Sequence, residues 1–333
     1  MTVSKYTASA AMKNLKGEIR AVGLKPAIIM QSLPDWWEDA QEHLSGVVEI
    51  RGFIARHFGL EIDPNGRLHS NNLPNARFKT TKGTNVQDIA APRAFAATIS
   101  GLVAKATSIP WSGQVPQANE LREHIVSKAN WVGFNELLDY CWSIGIPVIC
   151  VPDLPAEGSK MEGQVMFCID RPVIFISKNP DFPAWNLFVL AHELGHLARG
   201  HLDFVNGESI IDEKIDEKDV SDQQEQEANE YALELLTGDG KKEIKLNRLF
   251  KATALAPIAQ QFGRDRSIDP GHAILNLAKN SNKNLWPLVT KTLGLLETKG
   301  DASKIGRDTL RLNTSSELLR DDSVEFLEKL NLL

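Results

Sequence analysis

The chain has 333 residues, 42% of them hydrophobic and 24% charged, with a net charge of −6. These are the proportions of an ordinary globular protein long enough for two or three cooperating modules, and the acidic balance argues against a chain built mainly to coat nucleic acid. No apolar run approaches the roughly 20 residues needed to cross a bilayer, and the first residues lack an apolar signal core, so the expected location is the cytoplasm, with no membrane partner.

Residues 1–110 carry helical patterning broken by turn signals, among them Asp63-Pro64-Asn65-Gly66 and the polar run 69–75. They predict a small, mainly helical region, regulatory or helix-turn-helix-like. Thirteen Lys and Arg stand against nine Asp and Glu in residues 1–105, with Arg77, Lys79 and Lys82 close together. A solvated face is the plain reading of that cluster, and a phosphate-contacting patch for duplex or single-stranded DNA the sharper one. A boundary is expected near Ile109-Pro110-Trp111-Ser112-Gly113.

From about residue 117 the texture becomes α+β. Residues 120–143 read as helix, and 144–151 as a glycine-broken entry into a buried strand. Strands at 163–169 and 172–177 follow, at hairpin spacing around Asp170-Arg171. A helix is predicted to start after Asp181 as N-cap, with Pro183 in its first turn, and to stop near Gly200. The acidic stretch 203–224 reads as an exposed loop, with a lid over a cleft as the alternative. A helix at 222–236 comes next, and residues 241–333 read as amphipathic helices with turns at Asp269-Pro270-Gly271 and Lys299-Gly300-Asp301.

The helix ending at Gly200 contains the run HELGH, residues 192–196. His192 and His196 are four apart, so both imidazoles project from one face and can reach one cation. Glu193 is displaced from the pair and is placed to act as a base toward water. Zinc suits such a set because it is redox-silent and accepts nitrogen and carboxylate together. Two histidines that only satisfied hydrogen bonds on a surface helix would not need Leu187, Leu190, Ala191, Leu194 and Leu197 beside them, a pattern that puts the pair on a buried stripe. A third ligand must come from elsewhere. His201 follows His196 by five and does not match the spaced HExxHxxGxxH arrangement. On the 222–236 helix the apolar face is set by Ala228, Tyr231, Ala232, Leu235 and Leu236. Glu225 falls roughly 50° from its centre and Glu227 roughly 110°, so Glu225 should point inward and Glu227 into solvent. Asn229, one turn after Glu225, and His201 are candidates to hold a ligand in place from behind. Tyr231 reads as core. The three cysteines, Cys141, Cys150 and Cys168, form no CxxC pair, and their odd count suits a reducing compartment. Cys168, on a strand shortly before the metal helix, could offer a thiol to an open metal position; a packed core thiol is the plainer reading.

HELGH followed some thirty residues later by EQEANEYALELL resembles the ImmA/IrrE family of zinc metallopeptidases. Gly145-Ile146-Pro147-Val148, the strand 171–177 and the HELGH helix fall in the family's order, so the resemblance covers roughly residues 117–240. It implies a zincin-like α+β peptidase domain at 117–240, with a small sheet and an HExxH helix, flanked by mainly helical regions at 1–110 and 241–333. It also implies that the Glu of the family's ExxA motif, Glu225 here, completes the Zn2+ site with His192 and His196, with Glu193 catalytic. Members that resemble this chain cleave DNA-binding repressors in mobile-element, toxin–antitoxin or stress settings. The protein partner it implies is therefore a helix-turn-helix repressor or antitoxin. Many members end the third-ligand helix in Leu-Leu-Met-Pro, whereas here Leu235-Leu236 runs into Thr237-Gly238.

Three functions follow from these residues. The first is an endopeptidase that cuts a specific protein. The second is a DNA-associated transcriptional regulator using the zinc domain as sensor or scaffold, which the basic residues before 105 keep open. The third is a catalytically silent interaction protein, against which an intact Glu193 speaks.

Overall fold

In the computed structural model, which describes residues 7–70, 77–80, 90–151, 154–155, 161–177, 182–202, 217–248 and 250–333, helices α1 (Ala8–Ala21), α2 (Pro26–Gln31), α3 (Trp37–Ala40) and α4 (Leu44–His57) come first. A hairpin of β1 (Leu60–Ile62) and β2 (Leu68–Ser70) follows, its turn tied by Asp63 Oδ1, which accepts from the Asn65 and Arg67 amides at 2.8 Å each. Next come β3 (Arg77–Thr80), α5 (Ala90–Ala106), α6 (Ala118–Val126), α7 (Phe134–Ser143), β4 (Val148–Cys150), β5 (Met161–Cys168) and β6 (Arg171–Ile176). The chain ends with α8 (Pro183–Ala198), α9 (Glu217–Thr237), α10 (Ala252–Arg266), α11 (Pro270–Lys279), α12 (Trp286–Leu296), α13 (Asp301–Asn313) and α14 (Asp321–Lys329). The α+β class expected from the sequence is the class found, mostly helical with small sheets.

Four strands assemble in the order β3-β5-β6-β4, with β4 and β6 parallel and the other neighbours antiparallel. Every residue of β6 is buried, which is why its sequence is a near-continuous apolar run instead of an alternating one. One face of the sheet carries Gly163, Val165, Ile174 and Ile176 and packs on α8. The opposite face carries Gln164 and Phe175 and packs on α5, where Phe95 meets Phe175 edge-on at 6.4 Å. The sheet is thus the middle of three layers, and it fixes the depth at which α8 lies.

One apolar core runs through α1, α4, α5, the sheet, α8 and α9 to the C-terminal helix. There Phe326 of α14 stacks edge-on against Phe53 and Phe58 of the N-terminal part, at 6.0 and 5.3 Å. Salt bridges from Arg56 to Asp322 (2.8 Å) and from Lys329 to Asp35 (2.5 Å) rim that contact. A second cluster joins α10, α11 and α12 to the start of α8 through Phe182, Ala184, Leu255, Leu277, Val289 and Leu293. No helix among the described residues is long and apolar enough to cross a membrane.

Several elements differ from the sequence reading. Residues 120–143 form two helices, because the chain breaks between the Ser127 C-cap and the extended Gly133 N-cap (ψ 175°). The hairpin turn is Ile169-Asp170, one residue earlier than expected. Ile169 takes a left-handed φ of 62°, and Arg171 starts β6, buried, donating to the Ile109 carbonyl. The N-cap of α8 is Phe182, with no side-chain cap of its own; Asp181 lies outside the described residues. The orphan Ala184 amide at that end donates instead to Glu297 Oε2, 3.2 Å away and 113 residues on. Helix α9 begins at Glu217, inside the stretch expected to be loop. The remainder of that stretch, 203–216, and with it the lid alternative, lies outside the described residues, as does Lys82 of the basic cluster. Arg77 and Lys79 belong to β3, whose backbone pairs with β5 and so lends the sheet a strand from before residue 110.

Candidate metal centre

Helix α8 is buried along most of its length because the sheet covers one side and α9 another; His192, Glu193 and His196 are at most 1% exposed. Such burial needs a close approach of the two helices. A Cβ on Gly195 would stand 2.9 Å from the Ala228 carbonyl oxygen and 3.1 Å from its Cα, so the fourth residue of HELGH and the alanine of EQEA form a close contact between the helices. That contact presents Glu225, three residues before Ala228 and so on the same flank of α9, to the two histidines.

The three side chains converge. His192 Nε2 and His196 Nε2 lie 3.1 Å apart, and a different oxygen of Glu225 stands 3.4 Å from each of them. One ligand atom from each residue lies within 4.8 Å of the others, a spacing that could hold a metal ion. Burial pushes the Glu225 carboxyl up, but the two imidazoles beside it outweigh that effect and hold it well below the usual carboxylate range.

Glu193, about 100° round the helix from His192 and about 60° from His196, reaches the sheet at β5. An added Cβ on Gly163 would meet Glu193 Oε1 at 2.5 Å and Val189 Cγ1 at 2.6 Å, so the absence of a side chain on β5 makes the space that the carboxylate occupies. A glycine inside a strand was the available sequence signal for this close approach, and the sequence reading passed over it.

The remaining candidates fall out as follows. His201 Nδ1 lies 2.9 Å from His196 Nδ1, and His201 Nε2 lies 2.8 Å from Glu227 Oε2. Glu227, expected in solvent, is half-buried and also accepts from Gln223 Nε2 at 2.8 Å. The hydrogen bond from His201, then that from Gln223, holds its carboxyl below the ordinary value. Its side chain stays 37% exposed, as expected, but helical-face geometry considers α9 alone and could not give its partner: the chain folds back after α8 and lays His201 against α9's flank. Asn229 does not visibly hold a ligand: its Oδ1 is buried and finds no hydrogen-bond partner among the described residues. Tyr231 is fully buried and donates its hydroxyl to the Pro116 carbonyl at 3.0 Å, the core role expected of it. Cys168 sits at the far end of β5, five residues from Gly163, or roughly 16 Å at 3.3 Å per residue. Its thiol is not among the groups that converge with the two histidines, and burial pushes it up to about 12, as the packed-thiol reading expects.

Comparison with known families agrees with this geometry. Residues 145–264 match the family model Peptidase_M78, the IrrE N-terminal-like domain. The match spans α8, α9 and the strands β4, β5 and β6. No curated protein and no solved structure matches the chain. A peptidase domain of this kind implies a bound metal and a protein substrate.

Proposed function

Starting from the ImmA/IrrE-family metallopeptidase domain that this chain carries, we propose that the protein is a zinc-dependent endopeptidase that hydrolyses a peptide bond in one specific protein partner. His192, His196 and Glu225 are its zinc ligands, and Glu193 is its catalytic base.

The observation that carries this reading is the convergence of His192 Nε2 and His196 Nε2, 3.1 Å apart, on the Glu225 carboxylate, whose Oε2 stands 3.4 Å from the first and whose Oε1 stands 3.4 Å from the second. Atoms bound to tetrahedral zinc at 2.0–2.1 Å stand about 3.3–3.4 Å from one another, so the donor set and its spacing both fit that ion. Three protein ligands also leave one tetrahedral position open, the arrangement of catalytic sites as opposed to structural ones. When bound, zinc supplies Lewis acidity, lowering the pKa of a water toward about 7 and polarising a peptide carbonyl. Glu193 takes the proton of the attacking water and delivers it to the departing amine nitrogen. Its burial between α8 and Gly163 keeps the carboxylate in one orientation for both transfers.

The substrate class is a DNA-binding repressor or antitoxin of helix-turn-helix type, cut in a stress, mobile-element or defence response. This part of the proposal rests on the ImmA/IrrE resemblance. We take residues 117–240 as the catalytic module, with 1–110 and 241–333 recognising or regulating the partner. We place the enzyme in the cytoplasm, which its three unbridged cysteines support.

Metal analysis of the purified protein, followed by incubation with candidate repressors and mass spectrometry of the products, tests the reading. About one zinc per chain is expected, with discrete cuts by the wild type. Glu193→Gln should retain the zinc and make no cuts, since an amide cannot accept the proton. Undiminished cleavage by that variant, or by the chelated wild type, rejects the proposal.

A further inference from the structure

A second line of polar contacts leaves the metal centre on its far side. His196 turns Nε2 toward His192 and Glu225, and its other nitrogen, Nδ1, meets His201 Nδ1 at 2.9 Å. His201 Nε2 then meets Glu227 Oε2 at 2.8 Å, and Glu227 Oε1 accepts from Gln223 Nε2 at 2.8 Å. Both rings are buried, and they stand edge-to-face at 5.1 Å.

Local backbone chemistry builds this line. After α8, Gly200 adopts a left-handed φ of 69°, its amide donates to the Leu197 carbonyl (3.1 Å), and the His201 amide donates back to the His196 carbonyl (3.0 Å). This is the six-to-one closure of a helix C-terminus, in which the residue after the glycine folds back over the residue five before it. In the run HLARGH the residue folded over is a proposed ligand, and the residue folding back is a histidine.

Proton placement along the line has one consistent solution. A histidine that ligates through Nε2 carries its hydrogen on Nδ1, so His196 donates there and His201 Nδ1 accepts. The hydrogen of His201 is then on Nε2, and that nitrogen faces a carboxylate, an acceptor only. We propose that His201 and Glu227 are a positioning pair that holds His196 in the Nδ1–H tautomer with Nε2 free for the metal, and so tightens metal binding. This rests on the metal site proposed above. The carboxylate at the end of the line strengthens the imidazole as a donor to the metal, as partners behind metal-bound histidines do. The pair also ties α8 to α9 beside the helix contact that presents Glu225, so one interaction orients two of the three ligands.

Chelator competition would give the zinc Kd of the full-length wild type, His201→Phe, Glu227→Ala and Glu227→Gln, with Glu230→Ala as a control on the same helix. His201→Phe and Glu227→Ala should bind zinc about 10–100-fold more weakly, the loss typical of removing such a partner. Glu227→Gln keeps an oxygen facing His201 and should recover most of that loss, and Glu230→Ala should bind as the wild type. A merely structural pair would lower the melting temperature of the chelated protein in step with zinc affinity, whereas the positioning role leaves the metal-free melting of Glu227→Ala near that of the wild type. Histidine 15N spectra of the zinc-loaded protein should show a slowly exchanging His196 Nδ1–H that exchanges faster in Glu227→Ala. Wild-type zinc affinity in both His201→Phe and Glu227→Ala overturns the pair. Should His192→Ala and Glu225→Ala lose zinc in the same assay, the metal site stands and only the pair falls; should they keep it, the metal site itself falls. Glu227 is half-exposed, so its variants decide the matter even if His201→Phe fails to fold.

Discussion

Gly163→Ala is the most direct probe of how the sheet serves the proposed base. The new methyl would sit 2.5 Å from Glu193 Oε1 and 2.6 Å from Val189 Cγ1, against an ordinary contact distance of 3.4 Å or more. Restoring that distance requires a displacement of roughly 0.9 Å, shared between a fully buried carboxylate and a strand paired on both edges. Val189 is β-branched and buried on α8, so it yields little, and Glu193 takes most of the movement. Overpacking of this kind destabilises by about 1–3 kcal/mol, which a protein of this size tolerates at room temperature. A misplacement of about 1 Å in a group that handles the reacting proton is worth about a hundredfold in rate. The variant should therefore fold, bind zinc as the wild type does, and cleave about a hundredfold more slowly. The assay is single-turnover cleavage of a repressor substrate at saturating zinc, with circular dichroism and bound metal measured on the same sample. Full cleavage with intact fold and metal would refute the placement of Glu193 against β5. Loss of metal together with cleavage would refute the separation of base from ligands.

The third ligand is tested by Glu225→Ala, which should weaken zinc binding strongly in a chelator titration, with Glu225→Gln intermediate because a neutral amide oxygen is a poorer ligand; zinc affinity that survives Glu225→Ala excludes it. Gly195→Ala presses a methyl against the backbone of Ala228, which cannot rotate away, so a loss of about 1–3 kcal/mol in denaturant unfolding and weaker zinc binding are expected together; an unchanged midpoint would show that α8 and α9 are not in this contact. A pH series tests the buried carboxyls at the head of α8. Burial, then Asp269, push Glu297 up to about 8 from 4.5, with Asp301 adding to the rise and the Ala184 amide opposing it. Burial pushes Asp269 up to about 6 from 3.8, against the amides of His272 and Gly271 and with Glu136 adding to the rise. Both folded values exceed the unfolded ones, so their contribution to stability is complete at low pH and lost as pH rises through them. His272 acts in the opposite sense, lowered to about 4 chiefly by burial, with Lys279 and Arg122 adding to it, but above 6.5 it is neutral folded or unfolded. The melting temperature should therefore fall from pH 6.5 to about 9, and much less in Glu297→Gln; equal slopes in the two proteins would dismiss the carboxyl as the cause.

The elements legible in the sequence were those whose cause is local. HELGH on an apolar stripe placed His192 and His196 together because a four-residue spacing on a helix has only one geometry. The face of α9 put Glu225 inward and Tyr231 in the core by the same periodicity, and Gly200 marked the end of α8 because only a residue at ease with positive φ closes a helix that way. At the turn Ile169-Asp170 the reading slipped by one residue, because strand ends are set by competition between weak local preferences, whereas between α6 and α7 it missed a break altogether.

What only the tertiary structure decided is every contact between segments far apart in the chain. Glu297 reaching the first turn of α8, β3 pairing with β5, Gly163 making room for Glu193, and Glu227 holding His201 all join elements whose separation in sequence carries no periodic signal. Three of these also satisfy a group that burial would otherwise penalise: an orphan amide, a strand edge, an imidazole. The local code thus determined which residues could bind a metal. The packing of α8 between the sheet and α9 decided that three of them converge, because a buried polar group must find its partner wherever the chain brings one within about 3 Å.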